Sequence, residues 1–188
     1  MCGIAGCFIS GAISKEIVDK TLNSMRNRGP DNQNVISFRL NEKNIYFFHS
    51  RLSIIDLQKR SNQPFKFRNY TLIFNGEIYN YKEIRAQLIK LGYRFKTKSD
   101  TEVVIKAFSA WGSNSFKKFV GMWSIAIWDD KSKKLFLCRD RFGEKPLYYI
   151  FENGELYFAS ELKTLRILYN KQLKINFKKI RDFLFKGY

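Results

Sequence analysis

Four short β-rich runs, MWSIAIWD, KKLFLCRD, LYYIFE and ELYFAS, follow one another near the end of the chain. The joints between them, DDKSK, RFGEKP and NGE, are turn material, and the Asn-Gly pair in the last marks a tight hairpin. A second strand cluster opens the chain: GIAGCFI, then NVISFRL and NIYFFHS around the turn-like NEKN. YTLIFNGEIYN adds an apolar strand running into a polar loop. Between the clusters the period changes. SKEIVDKTLNSMRNRG predicts a helix from an Ser14 cap to Gly29, with Pro30 forbidding continuation. YKEIRAQLIKL, capped by Asn80 and ending at Gly92, and SDTEVVIKAFSAWG, from Asp100 to Gly112, predict two more. Two strand clusters flanking helices predict two packed sheets with helical layers outside. NFKKIRDFLFKGY places Phe177, Ile180 and Leu184 at helical spacing, a short amphipathic helix.

The 188 residues predict one domain, large enough to bury a core without disulfides or metal. Three cysteines with no CxxC pair give no disulfide framework, and the expected compartment is a reducing cytoplasm. Cys2 and Cys7, five apart, would face opposite sides of a strand and share no metal. No apolar run approaches the roughly 18 residues of a membrane span, and the uncharged N-terminus lacks the positive start of a signal peptide. The net charge of +17 is spread along the whole chain, a solvated basic surface rather than a specific nucleic-acid site.

Chemistry is constrained by what is scarce. The single histidine, His49, is the one imidazole available to a cysteine nucleophile, and a lone histidine near a strand end reads first as structural. There is no GxxxxGK[ST] loop, no GxGxxG and no zinc spacing. Cys2 has another base within reach. If Met1 is removed, its own α-amine is freed, with a reference pKa of about 7.7–8.0 against about 8.5 for the thiol. A base near working pH transfers protons best. Taken alone, a cysteine at position 2 reads first as incidental.

The segments MCGIAG, RNRGPDNQ, HSRLSIIDL, FNGEIYNY, SDTEVV, FLCRDRFGEKPLYY and FASELKTL occur in that order. Together they resemble the glutaminase domain of class II glutamine amidotransferases, and RGPD, RLSIID and RDRFGEKPLYY are similar to the asparagine synthetase (glutamine-hydrolysing) branch. The resemblance covers residues 1–188 and implies an Ntn-hydrolase fold, a four-layer αββα sandwich of two antiparallel sheets in the α+β class. It implies Cys2 as nucleophile, with an oxyanion hole from the Asn75 amide and the Gly76 N–H. Arg51 would hold the glutamine carboxylate, Glu77 and Asp100 the α-ammonium, and the backbone around Leu52 and Ile54 would line the pocket. Singly, Arg51 also reads as a surface strand residue, Asp100 as a helix cap and Asn75-Gly76 as a plain turn. Arg28, Asp31, Asp140 and Arg141 fit the motifs as scaffolding.

The glutaminase step implies no cofactor. ATP and Mg belong to a synthetase domain whose SGGxDS-type loop is absent, so the expected partners are glutamine and a synthetase domain or partner chain, with a homodimer allowed. The chain is expected to be an excised domain, a truncated product or a stand-alone glutaminase, with an apolar face where a second domain would sit. Trp123 and Ser124, where the family usually has Phe-Ala, imply a repacked strand without altered chemistry. Glutaminase feeding another amidation, a silent binding domain and a nucleic-acid module are the alternatives.

Overall fold

The structure, a computed structural model, describes residues 2–173 and 175–187. Among them run nine strands: β1 (Gly3–Ser10), β2 (Asn32–Leu40), β3 (Lys43–Arg51), β4 (Phe65–Phe67), β5 (Tyr70–Ile78), β6 (Gly121–Asp129), β7 (Lys134–Arg139), β8 (Tyr148–Glu152) and β9 (Glu155–Ala159). Six α-helices accompany them: α1 (Lys15–Ser24), α2 (Tyr81–Lys90), α3 (Asp100–Trp111), α4 (Ser115–Lys118), α5 (Leu162–Tyr169) and α6 (Phe177–Lys186). One sheet has the order β2-β3-β1-β9-β8 and the other β4-β5-β6-β7. Every pairing in both is antiparallel.

The four layers follow from strand alternation, because successive side chains point to opposite faces. On β1, Ile4 and Phe8 point inward and meet Phe47, Phe158, Ile73 and Trp128 from both sheets. The alternate residues Ala5, Cys7 and Ile9 point outward, against α1 and α5 through Val18, Leu165 and Leu168. On β5 and β6, Leu72, Phe74, Trp123, Ile125 and Ile127 pack instead on α2 and α3, through Ile84, Leu88, Val104 and Phe108. Three apolar layers thus separate helix, sheet, sheet and helix. This is the αββα sandwich expected, with Cys7 on the outer face of its sheet.

Local signals were honoured with three differences. The Asn153-Gly154 turn joining β8 to β9 takes positive φ at both residues, 51° and 72°, as a two-residue hairpin of this hand requires. The first helix ends at Ser24 instead of Gly29: Met25, Arg26 and Arg28 donate to carbonyls three residues back, a tighter turn than the α-helix. Asn80 precedes α2 without capping it; its side chain bridges Lys118 O and Val120 N instead. The third is Asn75-Gly76, which is strand and not turn, paired to Ser124 and Trp123. Helix α5 carried no sequence signal strong enough to place it. Helix α6 forms where expected, capped by Asn176, with Phe177, Ile180 and Leu184 exposed.

Candidate active site

The inner faces of three strands turn polar at the same end of the sandwich. On β3, Ile45 and Phe47 give way to His49 and Arg51; on β5, Ile73 gives way to Asn75 and Glu77. Cys2 shares the parity of Ile4 just before β1. The β1–β3 register, Gly3 opposite Ser50, continues to set Cys2 beside Arg51. A cavity of about 110 Å³ opens there, small beside the 300–1,000 Å³ typical of drug-sized ligands. Cys2, Arg51, Leu52, Ile54, Asn75, Gly76, Glu77 and Asp100 all line it. The eight residues picked out in sequence, drawn from positions 2 to 100, meet in one place.

The Cys2 thiol sits between backbone groups of one residue. The Leu52 N–H donates to Sγ at 3.4 Å, and Sγ donates to the Leu52 carbonyl at 3.6 Å. Burial pushes the thiol above its ordinary pKa, opposed by the Leu52 N–H, so it needs a base to ionise. His49 is not that base. It is buried in the inter-sheet layer, with Nε2 3.3 Å from the Phe74 carbonyl, and is not among the cavity-lining residues. Its burial holds its pKa down to about 3, keeping it neutral. The structural reading of the lone histidine stands.

Asn75 is 1% exposed and faces Ser124 across the β5–β6 pair. Its Nδ2 lies 3.4 Å from Ser124 Oγ, and the same hydroxyl lies 3.5 Å from the Asn75 carbonyl. With its one proton directed to that carbonyl, the hydroxyl can only accept from the carboxamide. This selects the rotamer with nitrogen toward Ser124 and, among the described residues, leaves the second N–H of the amide unclaimed. Ser124 therefore touches a site residue, beyond repacking its strand. Gly76 lies flat on β6, where a Cβ would come 2.2 Å from the Met122 carbonyl. No other residue type fits.

Arg51 is buried and braces the segment that follows it. Nη1 donates to Gln58 O at 3.1 Å and to Asn62 Oδ1 at 2.7 Å; Nη2 donates to the Asp56 carbonyl. Among the described residues nothing accepts from Nε, so one side of the fork remains for a ligand. Asp100, in the first turn of α3, accepts the Ile78 N–H at 3.2 Å. Burial raises its pKa to about 6, with Glu77 pushing the same way and the backbone N–H groups opposing. Ser99, not Asp100, caps α3, accepting from Thr101 N.

The scaffold residues have identifiable work. Arg28 Nε donates to the Cys2 carbonyl at 2.9 Å and its guanidinium meets Glu161 at 3.4 Å. Asp31 accepts the Ser53 N–H at 2.7 Å. Asp140 gathers the N–H groups of Trp123, Phe142, Glu144 and Lys145, and Arg141 binds the carbonyls of Lys117 and Phe119. Sequence reasoning missed Asp56, Gln63, Thr101 and Lys145 as cavity residues. Lys145 lay inside the quoted RDRFGEKPLYY, the one signal that could have found it.

The family model described as glutamine amidotransferase domain matches residues 1–188. The putative asparagine synthetase [glutamine-hydrolyzing] 2 of Methanocaldococcus jannaschii is 33% identical over 94% of the chain and 37% of its own length. Asparagine synthetase [glutamine-hydrolyzing] 2 of Bacillus subtilis is 41% identical over 88% of the chain and 22% of its own length. The chain thus spans well under half of either relative. A solved structure, glutamine phosphoribosylpyrophosphate amidotransferase from B. subtilis, covers 88% of the chain with a TM-score of 0.71 at 19% identity, matching 43% of that chain. That likeness shows the fold, of the Ntn type expected. By the family model over its whole length, this chain belongs to the glutamine amidotransferase domain family.

Proposed function

We propose that the cavity hydrolyses the side-chain amide of glutamine to glutamate and ammonia, with Cys2 as nucleophile. The observation that carries this reading is the convergence of all eight residues on one small cavity around the Cys2 thiol. A zwitterionic amino acid needs a cation for its carboxylate and an anion for its ammonium. Arg51, through its free Nε side, and Asp100 with Glu77 supply them.

With Met1 removed, the α-amine of Cys2 takes the thiol proton, directly or through one water. The thiolate adds to the amide carbon, and the oxyanion rests on the unclaimed Asn75 N–H and on the Gly76 N–H. One such donor is typically worth about 2.7–4 kcal/mol in the transition state. The C–N bond breaks as the α-ammonium returns its proton to the departing ammonia. Water then adds to the thioester carbonyl, the C–S bond breaks, and glutamate leaves. The step needs no metal or cofactor. Arg28 holds the Cys2 carbonyl and so fixes the nucleophile's backbone.

The names of relatives that are asparagine synthetases support one reading of the ammonia acceptor. We assign it to aspartate activated with ATP and Mg by a synthetase domain or partner chain. An apolar groove between β8 and α5, lined by Leu147, Tyr149, Ile150, Leu162, Leu165 and Leu173, offers such a partner a seat. Phe142, Phe151, Phe183 and Phe185 are also exposed. Three free cysteines fit a reducing cytoplasm. No helix of the described residues is long and apolar enough to cross a membrane.

The test is ammonia release from glutamine, with N-terminal mass analysis and a co-expressed synthetase. Loss of Met1 together with activity that vanishes in Cys2→Ala is the expected result. A processed N-terminus without glutaminase activity would sink the reading in favour of a silent binding domain.

A further inference from the structure

The edge of β5 beyond β4 has no strand beside it, yet side chains take three of its backbone groups. Tyr79 N–H donates toward β6, to Val120 O at 2.8 Å, so odd-numbered residues there face β6 and even-numbered ones face the open edge. Phe74 is on that edge, and one side chain serves both its groups. Gln63 Oε1 accepts the Phe74 N–H at 2.6 Å and Gln63 Nε2 donates to the Phe74 carbonyl at 3.2 Å. At the other end, the Ile78 N–H is taken by Asp100 at 3.2 Å. Gly76 lies between, on the same edge. Among the described residues nothing accepts its N–H.

We propose that Gln63 is a positioning residue for the glutaminase reaction, a side chain standing in for a strand so that the Gly76 N–H stays open. This rests on the proposed role of Gly76 as an oxyanion donor. A real strand continuing β4 would pair with every second residue of β5, and so would cover Gly76 as well as Phe74. A carboxamide carries a carbonyl acceptor and an NH2 with two donors, and the acceptor with one of those N–H groups is spaced as in a peptide. It can satisfy the Phe74 pair and must stop there. Gln63 also reaches Thr101 Oγ1 at 3.4 Å, in the turn of α3 that bears Asp100. One buried side chain thus ties the strand carrying the proposed oxyanion hole to the helix carrying the proposed ammonium anchor.

The experiment compares Gln63→Met and Gln63→Glu with the wild-type chain, all with Met1 removed. It measures kcat and KM for glutamine, the rate at which iodoacetamide alkylates Cys2 (located by peptide mass), and Tm. Alkylation needs a placed thiolate but no oxyanion hole. Gln63→Met, which leaves Phe74 unpaired, is expected to lower kcat by about 10- to 100-fold, a large part of what loss of one donor costs. KM and the alkylation rate should stay within about twofold. Gln63→Glu keeps the acceptor and loses the donor, and should fall between. A folded Gln63→Met at wild-type kcat overturns the proposal, as does a loss confined to KM or an equal loss of alkylation. If Gln63→Met does not fold, the isosteric Gln63→Glu decides by the same criteria. A wild-type chain that is processed yet releases no ammonia overturns the glutaminase reading itself, an outcome separate from any of these.

Discussion

The Asp100 carboxylate accepts the backbone N–H of Ile78 at 3.2 Å, which welds the first turn of α3 to the strand that carries Asn75 and Gly76. The same burial that makes this contact raises the Asp100 pKa from 3.8 to about 6.

A pH dependence follows. If ionised Asp100 binds the α-ammonium, kcat/KM for glutamine rises as pH climbs through about 6 and that limb vanishes in Asp100→Asn. For stability the sign is opposite. Between about 4 and 6 the folded chain holds a proton the unfolded chain has lost, so stability falls as pH rises and then levels. Above pH 6 the ionised group costs on the order of 3 kcal/mol. Asp100→Asn keeps an acceptor for Ile78 and should raise Tm by about 5–10 °C at pH 7. A calorimetric scan at pH 7 showing no rise would count against the buried, charged carboxylate.

Gly76→Ala should abolish activity and weaken the fold together. Its Cβ would meet Met122 O at 2.2 Å and Trp123 Cα at 2.7 Å, both backbone, so β5 and β6 must separate. We expect a loss of over about 100-fold in ammonia release and about 2 kcal/mol in urea unfolding. A variant with the wild-type midpoint would show that the strands give way freely.

Arg51→Lys should act mainly on KM. A lysine cannot hold Gln58 O, Asn62 Oδ1 and the Asp56 carbonyl while also presenting a fork to a carboxylate. Glutamine KM is expected to rise more than about tenfold. An unchanged KM would remove Arg51 from substrate binding.

Ser124→Ala releases the Asn75 carboxamide without opening the core. A kcat about 2- to 10-fold lower, with KM and Tm held, is the expected reading for a lost orienting bond. Equal kcat in both proteins would show that the hydroxyl contact is idle.

Much of this was legible in advance, for a physical reason. Alternation along GIAGCFI and YTLIFNGEI sets which residues share the inner layer, and the inner set turns polar at Cys2, Arg51 and Asn75. What escaped notice depends on side chains meeting backbone over long separations. Gln63 reads as an ordinary loop residue until Phe74 is seen beside it. Asn80 looks like a cap, but the Lys118 carbonyl and the Val120 N–H compete for its side chain and win. Asn75-Gly76 has turn composition, but here the glycine serves close strand contact. No local pattern separates those uses.

The placement of β1 has a consequence for biosynthesis. It lies between β3 and β9, and the Ile4 N–H donates to Ser160 Oγ across 156 residues. The strand that follows Cys2, the proposed nucleophile, therefore finds its last neighbour only when most of the domain has left the ribosome. Such non-local pairing is slow to form. Nascent chains carry the cysteine but no assembled site, and the proposed hydrolysis of glutamine can begin only once the first strand and the last have met.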